Sequence, residues 1–99
     1  MKNKTALITG ATSGIGEATA YEFARHGINL VLCGRRLERL NTIQKALERL
    51  THVHTLNFDV RDKNKTLNAI ESLPKEFKNI DILINNAGNA HGLDPIQTG

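Results

Sequence analysis

Short apolar runs alternate with amphipathic stretches along most of this chain. Ala6-Leu7-Ile8, Leu30-Val31-Leu32-Cys33, Val53 to Phe58 and Ile82-Leu83-Ile84 read as strands. Three of these four are continuously apolar, the mark of parallel strands covered on both faces. Helical spacing recurs between them. Ile15, Ala18, Thr19 and Phe23 predict the inward face of a first helix, which Gly27 ends. Leu40, Ile43, Leu47 and Leu50 recur three and four apart and predict a second helix. Asp62 is placed to cap a third, expected to bury Leu67, Ile70 and Leu73 before Pro74 stops it.

The order β-α-β-α-β-α-β, with right-handed crossovers, predicts a three-layer α/β fold around a parallel sheet. From Asn86 onward the chain carries Gly88, Gly92, Pro95 and Gly99 with no apolar periodicity. Sheets of this kind usually continue further, and an apolar fourth strand left at the edge invites aggregation. The expectation is a truncated sheet of about four strands with three helices, residues 1–99 being the N-terminal part of a single domain.

Composition narrows the classes. Ninety-nine residues allow one domain, and 39% hydrophobic with 23% charged residues is ordinary for a globular protein. The longest apolar run, Ile80 to Ile84, is interrupted by Asp81 and falls far short of the roughly 20 residues of a membrane span. Met1-Lys2-Asn3-Lys4 leads into a stretch too short for a signal-peptide core. Cys33 is the only cysteine, which excludes an internal disulfide and suggests a buried small hydrophobe. These features predict a cytoplasmic protein without a membrane partner. The net charge of +3 comes from basic residues scattered among acidic ones, and aromatics reach only 4%. No basic face with stacking rings emerges, so a nucleic-acid partner is not expected. His26, His52, His54 and His91 lack a third clustered ligand, so no metal is expected either.

The chemistry concentrates in Thr9-Gly10-Ala11-Thr12-Ser13-Gly14-Ile15-Gly16, between the first strand and the first helix. A tight strand-to-helix turn needs backbone freedom, and a pyrophosphate reaches main-chain N–H groups only where no side chain intrudes. The helix N-terminus adds partial positive charge, the Thr12 and Ser13 hydroxyls can donate, and Gly16 permits close helix-on-strand packing. A ligand-free glycine turn is the bland alternative, but the flanking strand, helix and spacing all weigh against it. Glycines at 10, 14 and 16 do not form G-x-G-x-x-G, because Thr12 takes the second position, and no Gly-Lys pair makes a P-loop. Every position from Gly10 to Gly16 is a candidate cofactor contact.

Some 20 residues on, where an NAD site places a carboxylate for the ribose 2′-OH, stands Gly34-Arg35-Arg36. Two guanidiniums suit a 2′-phosphate, and Gly34 clears room for it. As mere first-turn helix residues they would be mildly unfavourable. The expected cofactor is NADP(H).

Thr-Gly-x-x-x-Gly-x-Gly at 9–16, Asp59-Val60 after the third strand and Asn85-Asn86-Ala87-Gly88 after the fourth resemble the short-chain dehydrogenase/reductase family, from Lys4 to about Pro95. The resemblance implies a Rossmann-type doubly wound parallel sheet and hydride transfer between NADP(H) and an alcohol or carbonyl substrate. It implies that Asp59 accepts from the adenine amino group while Val60 offers its main chain, and that Asn86, Ala87 and Gly88 border the ribose. Asn85 is expected to brace the neighbouring strand, and His91 to lie on the loop at the nicotinamide end. Cys33-Gly-Arg-Arg-Leu-Glu-Arg-Leu, Leu73 to Ile84 and His91-Gly-Leu-Asp-Pro look like the subgroup of NADP-dependent 3-hydroxy acid and serine dehydrogenases, which includes enzymes acting on L-allo-threonine. The family's catalysis rests on Tyr-x-x-x-Lys with a serine and an asparagine. Here the only tyrosine, Tyr21, precedes Arg25 inside the first helix, and Ser13 and Ser72 are misplaced for the role. No catalytic residue is assigned. The expectation is the cofactor half of an oxidoreductase, homotetrameric as a whole protein. The alternative is a binding module, or an inactive fragment, that holds NADP(H) without turnover.

Overall fold

The structure is a computed structural model and describes residues 4–86. β1 (Thr5–Thr9), α1 (Gly14–Arg25), β2 (Asn29–Gly34), α2 (Leu37–Leu47), β3 (Val53–Asn57), α3 (Lys63–Glu71) and β4 (Ile82–Asn85) follow in the expected order, with one 3₁₀ turn, Lys75–Phe77, before β4. The sheet is parallel throughout, in the order β3-β2-β1-β4. The chain therefore builds outward from β1 in one direction and then returns to its other side. In doubly wound sheets ligands bind at that reversal, beyond the carboxyl ends of the strands.

β1 and β2 are buried along almost their whole length, because both faces are covered. One face carries Ala6, Ile8, Leu30 and Leu32, packed under Ala20 and Ala24 of α1 and Leu40, Ile43 and Leu47 of α2. The other carries Leu7, Val31 and Cys33 against Leu73 and Phe77. Cys33 is a buried free thiol, and burial pushes its pKa up to about 12. At the start of β4, Asp81 accepts from the Thr5 N–H at 2.9 Å and donates its own N–H to the Thr5 carbonyl at 2.8 Å. The residue that interrupts the apolar run thus ties the last strand to the first.

Helix boundaries follow local chemistry. Ser13 caps α1 by accepting from the Gly16 N–H, and Gly27, at φ 77°, ends it. Asp62 caps α3 through the Lys65 N–H at 3.1 Å.

The buried faces depart from expectation in three helices. In α1 the inward stripe is Gly16, Ala20 and Ala24, while Ile15 is 68% exposed, Ala18 and Thr19 stay outside the core, and Phe23 only flanks it. Gly16 seats so close to Gly10 that only small side chains fit on that face. In α2 the helix ends at Leu47, leaving Leu50 exposed in the following turn. In α3 the helix ends at Glu71, so only Leu73 reaches the core and Leu67 and Ile70 stay exposed. Ser72 leaves the helical path at φ −87° and ψ 0°, which separates Leu73 from the stripe its spacing implied. β4 is not covered on both faces: Leu83, on this edge strand, is 64% exposed.

Candidate functional site

The registers align the carboxyl ends of all four strands, Thr9 beside Cys33 and Asn85, and Gly34 beside Asn57. The segments that leave these strand ends therefore meet at one edge. There a cleft of about 790 Å³ is lined by Gly10, Thr12 to Ile15, Gly34 to Arg36, Phe58 to Arg61 and Asn86. Residues as far apart in sequence as Gly10 and Asn86 come together in it.

The turn is set by its own hydrogen bonds. Gly10 takes φ 64°, a left-handed conformation that favours glycine. The Ser13 hydroxyl donates to the Gly10 carbonyl at 2.8 Å and accepts from the Gly16 N–H at 3.2 Å. That hydroxyl, expected to reach a phosphate, is engaged in the turn itself. The Ala11 N–H donates to the Cys33 carbonyl at 3.0 Å, and Ala11 is fully buried. Ala11 and Gly16 therefore build the turn from beneath and do not line the cleft. The main-chain N–H groups of Thr12, Gly14 and Ile15, by contrast, have no acceptor among the described residues. Two of the three open the N-terminus of α1, where an anion is favoured.

The glycines divide by cause. A Cβ on Gly16 would stand 2.2 Å from the Gly10 carbonyl oxygen, so packing demands that glycine. One on Gly34 would press on Thr12 Cγ2 at 3.2 Å and Leu40 Cδ2 at 3.4 Å, so the room there serves those side chains as well as the cleft. One on Gly14 would meet nothing within 4 Å, and its φ is not in the left-handed region. Folding makes no demand for glycine at 14, and the space beside it is open to an incoming group. Gly14→Ala is expected to raise stability by about 0.4–1 kcal/mol through the unfolded chain. It should weaken dinucleotide binding at least roughly tenfold (about 1.4 kcal/mol). Denaturant melts and a binding titration check the two halves, and unchanged affinity would show that nothing approaches there.

Arg35 and Arg36 follow β2 on the cleft's rim, both exposed. Arg36 occupies the N-cap position of α2 without a capping bond and has no ion pair among the described residues. An arginine is a poor choice for that position on helix grounds alone. Asp59 lies opposite. Its carboxylate takes Arg61 Nη2 at 2.8 Å and Nε at 3.1 Å, accepts the Arg61 N–H at 3.0 Å, and stands 3.9 Å from Arg35 Nη1. The hydrogen bonds from Arg61, with Arg35 adding a weaker pull, hold the Asp59 carboxyl well below the usual carboxylate range. Asp59 so makes both a local turn and a cleft wall.

On the far side, the Thr9 hydroxyl donates to Asn85 Oδ1 at 3.0 Å and accepts the Asn86 N–H at 3.0 Å. Asn85 braces β1 in this way. Asn86 lines the cleft with a buried Nδ2 that has no hydrogen-bond partner among the described residues. Ala87, Gly88 and His91 lie outside the described residues. His54, considered as a metal ligand, stacks against Phe77 with ring centroids 5.4 Å apart. Phe58 and Arg61 also line the cleft, and sequence reasoning misses both. The Asp-x-Arg spacing at 59–61 is the one signal that could have found Arg61.

The residues present fit a phosphorylated dinucleotide: unpartnered N–H groups, open space at Gly14, exposed guanidiniums and an unpartnered amide converge on one cleft.

Comparison with known proteins agrees in fold and family. The chain is 46% identical over 91 residues to sulfoacetaldehyde reductase 2 of Chromohalobacter salexigens, covering 92% of this chain and 36% of that protein. It is 48% identical over 99 residues to an NADP-dependent 3-hydroxy acid dehydrogenase of Schizosaccharomyces pombe, covering 97% and 38%. Among solved structures, L-sorbose reductase of Gluconobacter frateurii, complexed with NADPH and L-sorbose, superposes with a TM-score of 0.81 at 38% identity, over 89% of this chain and 34% of that one. The chain thus spans little more than a third of the length of these relatives. The family model described as short chain dehydrogenase matches residues 4–98, and the chain belongs to that family.

Proposed function

We propose that residues 1–99 form the N-terminal, NADP(H)-binding part of a single Rossmann domain in an oxidoreductase that interconverts alcohols and carbonyls. The observation that carries this reading is the convergence of the unpartnered N–H groups of Thr12, Gly14 and Ile15 with Arg35 and Arg36 on one cleft. The N–H groups at the start of α1 suit a pyrophosphate, and the guanidiniums suit a 2′-phosphate. Asp59 and the Val60 main chain are assigned to the adenine, and Asn86, with Ala87 and Gly88, to the ribose. When bound, the nicotinamide supplies the hydride-accepting or hydride-donating centre.

The substrate reading is a 3-hydroxy acid, L-serine or L-allo-threonine among them. It is supported by the name of the Schizosaccharomyces relative and by the sequence likeness to the 3-hydroxy acid and serine dehydrogenases. Other relatives are named for sulfoacetaldehyde and L-sorbose, which share the alcohol–carbonyl chemistry. The full protein is proposed to be a cytoplasmic homotetramer. The single cysteine of these 99 residues, buried as a free thiol, supports the compartment, and family membership supports the assembly. Among the described residues no helix is long and apolar enough to cross a membrane.

Titration of the full protein is expected to show tighter binding of NADP+ than NAD+, and equal affinities would refute the cofactor assignment. A second reading, a module that binds NADP(H) without turnover, is favoured by the lack of any Tyr-x-x-x-Lys in these 99 residues. Incubating the full protein with NADP+ and an alcohol substrate distinguishes the two, because only the oxidoreductase reading expects the full protein to reduce the cofactor. The 99-residue chain by itself is expected to bind without reduction under both. Turnover by this chain alone would contradict both readings.

A further inference from the structure

Arg61 reaches into the cleft and the cofactor assignment gives it nothing to do. We propose that Arg61 is a specificity-determining positioning residue, which holds the Asp59 carboxylate and so leaves Arg35 free for a 2′-phosphate. The proposal rests on reading the cleft as an NADP(H) site.

Two guanidiniums face one carboxylate. Arg61 engages both of its oxygens side-on, at 2.8 and 3.1 Å, and its main-chain N–H adds a third bond at 3.0 Å. Arg35 Nη1 stands 3.9 Å away, an ion pair without a hydrogen bond. A charge-assisted bond would need it about 1 Å closer. The carboxylate stays ionised, since Arg61 holds it below the usual range, and an ionised group seeks the nearest cation. With Arg61 removed, that cation is Arg35. A guanidinium closed onto Asp59 offers fewer donors to a phosphate, and the uncompensated carboxylate repels the phosphate directly. NAD+ carries a neutral hydroxyl at this position, which has no charge for the carboxylate to repel and makes no demand on a freed guanidinium. Adenine, ribose and pyrophosphate are common to the two cofactors, so their contributions cancel in the ratio of affinities.

The Arg61 side chain is 68% exposed, and exposed ion pairs contribute little to folding. Its loss is therefore readable in binding.

The test is the ratio of NAD+ to NADP+ dissociation constants in the full protein, titrated for wild type, Arg61→Ala, Arg61→Lys, Asp59→Asn and the Arg61→Ala/Asp59→Asn pair. Arg61→Ala is expected to lower the ratio about tenfold, the loss of roughly one charge-assisted bond, through NADP+ alone. Arg61→Lys should keep most of the preference. With asparagine at 59 no anion remains to divert Arg35, so adding Arg61→Ala should leave the ratio unmoved. An unchanged ratio in the single variant overturns the proposal. An equal fall in both backgrounds also overturns it, because Arg61 would then touch the phosphate itself. Wild type without NADP+ preference would instead refute the cofactor assignment, a separate failure.

Discussion

Replacing Arg35 and Arg36 together with alanine is expected to weaken NADP+ binding roughly 10²- to 10⁴-fold, with NAD+ binding left within about twofold. In the proposed NADP(H) site each arginine gives the 2′-phosphate charge-assisted bonds worth about 1.5–3 kcal/mol, and every 1.4 kcal/mol is tenfold in affinity. Little else depends on these side chains. Both are exposed, Arg36 has no ion pair among the described residues, and Asp59 keeps its closer partner in Arg61. Truncation should leave no buried charge behind and no cavity, so the loss can be assigned to the missing phosphate contacts. At the N-cap of α2 the loss of a cation is, if anything, mildly favourable. Titration with both dinucleotides reads the effect. A fall shared equally by NAD+ would place the arginines on the pyrophosphate or in the fold and remove the basis for choosing NADP.

Gly16→Ala is expected to cost about 3 kcal/mol of stability or more, in contrast with the gain expected at Gly14. The added methyl would stand 2.2 Å from the Gly10 carbonyl oxygen, 2.9 Å from its carbon and 3.0 Å from Ala11 Cα. All three are backbone atoms, and none can swing aside as a long side chain would. Relief requires the start of α1 to lift off the turn, which loosens the packing of Ala20 and Ala24 in the core they share with Ile8 and Leu30. A native protein has only about 5–15 kcal/mol to lose. Lifting the helix also moves its N-terminal N–H groups, so dinucleotide binding should fall with stability. Urea or thermal unfolding of the variant provides the measurement. Wild-type stability in the Gly16→Ala variant would mean that the turn is not packed as described.

These expectations differ in how far they could be read without coordinates. The glycine turn, the arginine pair and the strand order were legible because each depends on residues close in sequence: a strand end, a helix start, a continuous apolar run. The Asp62 cap and the Gly27 stop were legible for the same reason. The inward face of α1 was not. Ile15, Ala18, Thr19 and Phe23 share a helical stripe as convincing as Gly16, Ala20 and Ala24, and periodicity cannot say which stripe meets the sheet. The close seat of Gly16 on Gly10 decides it. For α3, spacing linked Leu73 to Leu67 and Ile70, but the chain leaves the helix at Ser72 and takes only Leu73 inward.

The candidate site divides along the same line. The expectation of an anion site came from sequence alone, since a helix N-terminus, a flexible turn and two adjacent guanidiniums act through local geometry. The division of labour within the cleft was decided only by the tertiary structure. Whether Asp59 faces Arg35 or Arg61, whether a glycine serves packing or a ligand, and whether the Ser13 hydroxyl is free depend on distances of an ångström or two. Of these, the Arg35–Asp59 and Gly34–Thr12 distances join segments brought together by parallel strand pairing, and spacing along the chain carries no information about them. The Arg61–Asp59, Gly16–Gly10 and Ser13 contacts are local, but their outcome depends on backbone and rotamer geometry that spacing does not specify.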